Sequence, residues 1–315
     1  MASLSEIAPH LKGYGINSCH VRSRKLIGFT AQKWVVDDSL EPRDTMVMSY
    51  FPDDPKDDRW AASEIDQVTG VHGCGCFKPQ ESWIFVTDMG EVFSGRGDND
   101  GYEQSISSNQ RVFISSVKCI ARGFAYAVGI NRDVYRRVAP NKWVSVKDKA
   151  LNLLKTEKVA DAGFRDIDGF SDSDIYACGG RGDLWHFDGK HWSKEDIPTN
   201  ANLERACCGD DGLVYVTTNS KSLLIGKRGA WRVVDQDIGD EGFVDIVNFE
   251  SRILVSTDDG VWESQKGKLV PAKLRVPKMK VYSHLAAGDG LLVVAGANEA
   301  SLYDGSKWSK ILRFA

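Results

Sequence analysis

The strongest constraint in this sequence is a pattern that recurs about every 40 residues. It is clearest in residues 174–192, DIYACGGRGDLWHFDGKHW, where strand-forming segments alternate with tight turns rich in Gly and Asp. Each unit has an apolar strand, a turn, and then an apolar or aromatic residue that we call the anchor. Successive anchors are separated by 42, 50, 39, 38 and 41 residues. They are Phe93, Tyr135, Trp185, Leu224, Trp262 and Tyr303.

This repeat predicts a β-propeller. A further strand precedes the apolar strand in the later units, and a tryptophan follows four of the anchors, so each unit holds four short strands. These tryptophans are Trp143, Trp192, Trp231 and Trp308. A four-stranded unit of this length is typical of a propeller blade. Because one blade cannot bury both of its faces, we expect the anchors to fill the interfaces between blades.

The repeat predicts one all-β domain over residues 1–315, since no linker rich in Pro, Ser or Gly interrupts it. Six blades are recognisable in residues 67–315. Residues 1–66 are less regular, with strands expected at 25–30, 33–37 and 45–51 and another from Trp60. Met48 lies 45 residues before Phe93 and fits an anchor. We therefore favour seven blades, and the alternative is six blades with an N-terminal cap.

Two helical segments are also expected. Residues 3–13 begin with Ser3 and Glu6 at the spacing of a capping box and end at Gly13. Residues 149–160, KALNLLKTEKVA, lack turn residues and explain the one long spacing in the repeat. We interpret them as a helical insertion between two blades.

The segment at 174–192 resembles a repeat common in bacterial propellers, including WD40-like ones. Two turns, VTDMGEVF from Val86 and STDDGVW from Ser256, resemble the Asp-box of sialidase-like propellers. The first lacks a leading hydroxyl residue and the second is one residue short. An Asp-box stabilises a turn, so this resemblance implies a fold and not an activity. Some propellers of this kind are immunity proteins against bacterial toxins.

Composition excludes several classes of protein. Hydrophobic residues make up 42% and charged residues 27%, as in ordinary globular proteins. The net charge of −4 argues against a general nucleic-acid binder. The start of the chain has no basic segment followed by an apolar run, and no apolar run approaches the ~20 residues of a membrane helix. The seven cysteines suggest reduced thiols and a cytoplasmic location.

The best metal candidate is VHGCGCF, residues 71–77. In a strand, His72, Cys74 and Cys76 share one face. The outer two are too far apart to reach one ion, and no second ligand pair completes a set of four. We expect instead a central strand that uses small residues for close packing, with no metal and no cofactor.

Catalytic motifs are not recognisable. Asp98, Asp100 and Glu103 resemble part of a calcium loop, but a polar hairpin turn explains them. Sialidase chemistry would need an arginine cluster with a matched nucleophile and acid, and the sequence has no motif that supplies them. The sequence also has no P-loop, dinucleotide fingerprint or nucleophile elbow. We therefore expect a protein that is not an enzyme.

Charge is distributed unequally between the two classes of turn. The turns between second and third strands emerge on one face of the disc and contain seven acidic residues against three basic ones. The turns between third and fourth strands carry ten basic residues, Arg136 and Arg137 among them, against four acidic ones. Such segregation can steer a charged partner, although Lys and Asp are common in hairpin turns anyway. The candidate binding residues are Asp88, Glu91, Arg132, Asp133, Arg181, Asp183, Asp258, Asp259 and Glu299.

These observations favour a cytoplasmic propeller that binds another protein. Within that class, the resemblance implies an inhibitor or immunity protein whose turns occlude the active site of a cognate bacterial toxin. One alternative is a scaffold or assembly factor for a protein complex. A further alternative is a carbohydrate-binding or glycosidase-like propeller, which predicts a deep axial pocket with converging carboxylates and arginines; a channel plugged by apolar side chains would exclude it.

Overall fold

Seven antiparallel sheets build the fold. The computed structural model describes residues 2–34, 42–95, 101–107, 111–155, 157, 162–239 and 242–314. Over these residues the chain forms seven four-stranded sheets, each from strands that are consecutive in the sequence. The protein is therefore a seven-bladed β-propeller, and its N-terminal part supplies four strands between Tyr14 and Val68 that form a true blade and not a cap.

Blade 1 is the blade that the sequence predicted least well. It consists of β1 Tyr14–Ser23, β2 Leu26–Lys33, β3 Arg43–Tyr50 and β4 Trp60–Val68. The separate strand expected at 33–37 falls on the end of β2 and on residues outside the described part of the chain. The strand β1 was missed because YGINSCHVRS has no apolar run. It lines the axis of the propeller, where polar side chains face a channel.

Blades 2 to 4 follow the expected order of strands. Blade 2 contains β5 Val71–Cys76, β6 Ser82–Thr87, β7 Val92–Gly95 and β8 Gly101–Glu103. Blade 3 contains β9 Ile114–Cys119, β10 Ala125–Gly129, β11 Val134–Ala139 and β12 Lys142–Ser145. Blade 4 contains β13 Asp166–Ser171, β14 Asp174–Gly179, β15 Asp183–Phe187 and β16 Trp192–Lys194.

Blades 5 to 7 repeat the same meander. Blade 5 contains β17 Leu203–Cys208, β18 Val214–Thr218, β19 Ser222–Lys227 and β20 Ala230–Asp235. Blade 6 contains β21 Asp245–Phe249, β22 Arg252–Thr257, β23 Gly260–Gln265 and β24 Lys268–Pro271. Blade 7 contains β25 His284–Gly288, β26 Leu291–Ala295, β27 Glu299–Tyr303 and β28 Trp308–Arg313.

The anchors occupy the same place in every blade. All of them, including Met48, lie in the third strand, and the four tryptophans lie in fourth strands. The buried apolar residues that the structure describes fall into seven clusters, one at each interface between neighbouring blades. Each anchor packs into the cluster shared with the preceding blade; Phe93 of blade 2, for example, packs with Val47 and Ile65 of blade 1. The expectation that anchors fill the interfaces is confirmed.

The ring closes by packing blade 7 against blade 1. Met48 and Phe29 of blade 1 share a cluster with Val293 and Leu302 of blade 7. A backbone hydrogen bond from the Ile16 amide to the carbonyl of residue 297 is 2.7 Å long. Closure therefore combines apolar burial with direct backbone pairing.

The N-terminal helix completes this closing interface. It consists of α1 Leu4–Ile7 and a following 3₁₀ turn, Ala8–Leu11. The predicted capping box of Ser3 and Glu6 is present. Ile7 and Leu11 are buried in the cluster between blades 1 and 7.

Other helical segments are short. A 3₁₀ turn covers Lys56–Asp58, and another covers Lys149–Leu151. The helical insertion expected at 149–160 is reduced to that single turn, because residues 152–155 are not helical and residues 156 and 158–161 lie outside the described residues. None of the described helices has the length and apolar character needed to cross a membrane.

His20 lies buried at the interface of blades 1 and 2. It is 7% exposed, and its ring meets Phe85 edge-on at 5.3 Å between centroids. A Cβ at Gly28 would lie 2.1 Å from the ring, so the neighbouring strand leaves room only for glycine. Neither ring nitrogen has a hydrogen-bond partner among the described residues. Burial, together with nearby Arg22, lowers the pKa of His20 to about 4.

This depressed pKa predicts a loss of stability in mild acid. The unfolded chain binds a proton at His20 below about pH 6.5, whereas the folded protein does so only near pH 4. The free energy of unfolding should therefore fall by about 2 kcal/mol from this residue between pH 7.5 and pH 5. Urea unfolding of His20→Leu should show a correspondingly weaker dependence on pH. The exposed His191→Gln variant is the control and should keep the wild-type slope, and an unchanged slope in His20→Leu would contradict the assignment.

Candidate protein-binding face and axial channel

The candidate residues all lie on one face of the disc. We call the front face the one that carries the turns between second and third strands and the connections between blades; the back face carries the remaining turns. Each candidate lies in a second-to-third-strand turn or is the first residue of a third strand. They are Asp88 and Glu91 of blade 2, Arg132 and Asp133 of blade 3, Arg181 and Asp183 of blade 4, Asp258 and Asp259 of blade 6 and Glu299 of blade 7.

Two of these candidates form a buried ion pair between blades 3 and 4. Arg132 and Asp183 are each 2% exposed, and their Nε and Oδ2 atoms are 2.7 Å apart. Asp183 also accepts a hydrogen bond from the indole of Trp185, and Glu157 binds the other side of the guanidinium. Because these groups are already paired inside the protein, they position neighbouring blades and offer little surface to a partner.

Three further candidates have partners within the protein. Asp88 is 2.8 Å from His72 Nε2. Asp133 is 2.9 Å from the ammonium of Lys147. Glu299 is 9% exposed and 2.9 Å from Lys310, whose charge helps to hold the pKa of Glu299 below its ordinary value despite burial.

The remaining candidates are exposed. Glu91 and Arg181 lie at the solvent surface of blades 2 and 4, and Asp258 and Asp259 form the exposed tip of a blade 6 turn. The charge that the front face presents is therefore concentrated in fewer turns than the sequence suggested.

The basic excess expected on the back face is smaller than predicted. Arg136 and Arg137 are not in a turn but in β11, where Arg137 is fully buried and paired with Glu103 of blade 2. Burial would raise the pKa of Glu103, but this pairing helps to hold it below its usual value. Glu103, one of the three residues that resemble a calcium loop, therefore binds an arginine of the protein itself. Asp98 and Asp100 lie outside the described residues. Lys227 is also occupied, 2.8 Å from Asp174.

Exposed apolar side chains distinguish the front face further. Within the described residues, six large apolar side chains are exposed, and five of them lie in front-face turns or connections. These five are Trp34 at 64%, Met89 at 50%, Phe113 at 37%, Ile130 at 43% and Leu154 at 67% exposure. Sequence reasoning missed them because it compared turns only by charge; the signal available was a large apolar residue in a turn position. Exposed apolar groups clustered on one face commonly mark a binding surface.

A groove crosses the front face from blade 2 to blade 5. Phe113 and Ile130 line one part of it, and charged side chains of both signs, among them Arg165, Glu204 and Arg205, line another. At its floor the groove meets the axial channel, since His72 and Arg205 line both. The front face therefore has a concave centre with apolar and charged walls.

The axial channel is polar. It has a volume of about 410 Å³ and is lined by the first strands of the blades. Lys118, Asp166, Asp168, Arg205 and Asp245 contribute charged groups to its wall. The channel is therefore not plugged by apolar side chains, which was the observation that would have excluded a carbohydrate-binding propeller.

The channel carboxylates are nevertheless engaged in holding the blades together. Asp166, Asp168 and Asp245 each accept a hydrogen bond from the backbone amide 40 residues later, in the first strand of the next blade, at 2.9, 2.8 and 3.0 Å. Lys118 adds an ion pair to Asp166 at 2.7 Å. Burial raises the pKa of Asp168, whereas Lys118 and Arg205 hold that of Asp166 below its ordinary value despite its burial. Asp166 and Asp245 occupy the same position in the segments FRDIDGF and FVDIVNF, and this match was the sequence signal for a hydrogen bond between neighbouring blades.

The metal candidates are on one strand of the channel wall, as expected, but have other contacts. His72 binds Asp88, and the Cys76 thiol donates to the carbonyl of Lys78 at 2.9 Å. Burial raises the pKa of the Cys74 and Cys76 thiols, which disfavours the thiolate that a metal needs. Across the described part of the chain, no group of three or more His, Cys, Asp or Glu side chains is arranged to hold a metal ion.

The buried Arg132–Asp183 pair predicts a large effect of substitution. Asp183→Asn leaves a buried guanidinium with less compensation, so the free energy of unfolding should fall by about 2–3 kcal/mol. Asp259→Asn, on the same face but exposed, should change it by less than about 0.5 kcal/mol. Urea unfolding measures both variants, and equal midpoints for Asp183→Asn and the wild type would show that the pair is not structural.

Comparison with known proteins places the chain in a family. No family model matches it. The chain is 33% identical over 261 residues to "Immune protein Tsi7" of Pseudomonas aeruginosa, a match that covers 81% of this chain and 82% of that protein.

Solved structures agree on the fold. YCF48 bound to a D1 peptide superposes with a TM-score of 0.63 at 13% identity, covering 90% of this chain and 89% of that one. The WD40 propeller domain of Doa1 gives 0.63 at 12%, covering 90% of each chain. The Swd1 propeller domain of Myceliophteria thermophila gives 0.60 at 12%, covering 89% of this chain and 92% of that one. At such identities these likenesses show the propeller fold alone, whereas by its likeness to Tsi7 the chain belongs to the family of that immune protein.

Proposed function

We propose that this protein is an immunity protein that binds a bacterial toxin and blocks its activity without catalysis of its own. The observation that carries the proposal is the relative named as an immune protein, which matches four-fifths of the chain at 33% identity. A rigid disc with many short turns is well suited to binding another protein, because its loops lose little conformational freedom on binding.

The front face is the surface that we assign to the toxin. It carries most of the exposed large apolar side chains, and it also carries the exposed charges of Glu91, Arg181, Asp258 and Asp259. Apolar groups supply most of the binding energy of a protein interface, while surrounding charges supply specificity and speed of association. Occlusion of the toxin's active site by this face is the simplest mechanism that such a surface allows.

Two observations support the remaining parts of the proposal. The carboxylates of the axial channel already accept hydrogen bonds from the next blade, which supports a role that is not enzymatic. All seven cysteines are free thiols, which supports action in a reducing compartment such as the cytoplasm.

The direct test is co-expression with the product of the neighbouring gene, taken as the candidate toxin. The tagged protein should retain the toxin through affinity purification, and cells that express both should grow where cells that express the toxin alone do not. Binding without protection would support the scaffold alternative instead, and the absence of both would contradict the proposal.

Charge reversal on blade 6 should weaken the complex. Asp258→Lys combined with Asp259→Lys places two positive charges on the front face, and we expect the dissociation constant to rise about tenfold, or ~1.4 kcal/mol. Lys266→Asp, in a back-face turn of the same blade, is the matched control and should leave affinity unchanged. Calorimetry at two salt concentrations measures the effect, and a back-face variant that weakens binding more than the front-face variant would overturn the assigned face.

A further inference from the structure

We propose that the front-face groove is the centre of the toxin interface and that it receives a toxin segment with an acidic side chain, which pairs with Arg205. This inference rests on the proposed function and specifies the chemistry of the partner. It is carried by Arg205, by the pairing of the other charges in the groove, and by the apolar wall beside them.

Arg205 lies at the point where the groove meets the axial channel. It is the third residue of β17, on the inner strand of blade 5, and it lines both cavities. Its guanidinium has five N–H donors. Among the described residues, those donors make one hydrogen bond, from Nη1 to the carbonyl of Glu204 at 3.4 Å. The side chain thus retains most of its donors in a partly buried position.

Other charges in the groove already have partners. Arg165 forms an ion pair with Glu204, and Asp88 pairs with His72. Asp166 and Asp245 raise the pKa of Arg205 despite its burial, but their hydrogen bonds among the described residues go to other groups. Asp166 binds Ser116, Lys118 and the amide of residue 206, and Asp245 binds the amides of residues 246 and 285. Within the described part of the chain, the groove therefore offers an arginine without an ion-pair contact, near carboxylates that already accept other hydrogen bonds.

A carboxylate is the complementary group for this position. Arginine binds a carboxylate through two parallel hydrogen bonds, and such pairs are stronger when partly shielded from water. Arg181 lies on the same groove wall. An acidic toxin side chain that enters the groove would satisfy donors that folding alone leaves unused.

The apolar part of the groove requires an apolar neighbour beside that acidic residue. Phe113 and Ile130 line the groove and remain 37% and 43% exposed, and Met89 lies in the adjoining turn of blade 2. Interface hot spots typically combine an arginine with apolar contacts that exclude water around it. The docked segment should therefore present an acidic residue next to one or more large apolar residues.

Calorimetry of the purified toxin with matched variants tests this inference. Arg205→Gln should weaken binding at least about 30-fold, the range of a hot spot, and Arg205→Lys should recover only part of this loss because lysine cannot pair through two parallel bonds. The double variant Phe113→Ala, Ile130→Ala should weaken binding about tenfold. Arg122→Gln is the control, because Arg122 lines the same channel at the back face, and it should bind as the wild type does.

The outcomes separate this inference from the proposed function. If wild type binds the toxin and Arg205→Gln binds equally well while folded, the groove is not the docking centre although the immunity role stands. If wild type binds no toxin, both are contradicted. Urea unfolding shows whether each variant is folded. If Arg205→Gln does not fold, the other two variants decide: wild-type affinity in both Arg205→Lys and the apolar double variant would overturn the proposal.

Discussion

Burial of each blade against its neighbours is the interaction on which the structure depends. A single four-stranded sheet with two apolar faces would expose one or both of them to water and would not be stable. The chain therefore repeats the unit until the ring closes and every face is covered. The anchor of every blade enters the cluster it shares with the preceding blade, and the cluster between blades 7 and 1 completes the circle. Because truncating a buried apolar side chain costs about 2–5 kcal/mol, each interface is essential to the whole ring.

Polar contacts then fix how the blades are spaced. Near the axis, where the first strands of neighbouring blades lie side by side, carboxylates such as Asp166 and Asp245 accept hydrogen bonds from the backbone of the next blade. Farther out, buried pairs such as Arg132 with Asp183 and Arg137 with Glu103 join adjacent blades. Buried charges are tolerated only when paired, so these residues stabilise the disc, and the exposed turns are the part of the front face that we propose for recognition.

The sequence correctly predicted the repeat and the propeller fold, but it did not predict which charged side chains are buried in ion pairs and which are exposed. Anchors such as Trp185 recur because every interface between blades has a similar shape. The same packing requirement therefore selects a large apolar residue at the same position of each repeat. Strand β1 was missed because its side chains face a polar channel and leave no apolar run. Burial of Arg137 and Asp183 depends on contacts between blades, which no local pattern records. The exposure of Phe113 and Ile130 was not predicted, because a single apolar residue between two strands is as consistent with a buried position as with an exposed one.

The front face unites the exposed apolar residues, the remaining charges and the mouth of the channel, and it is the surface that we assign to a toxin. Hydrogen exchange of the protein, alone and with the toxin, tests this assignment most directly. The account predicts slower exchange in the front-face turns at residues 88–91, 130–133 and 258–259 and at the start of β17, with the back-face turns unchanged. Protection confined to the back-face turns, for example at residues 188–191 and 266–267, would contradict it.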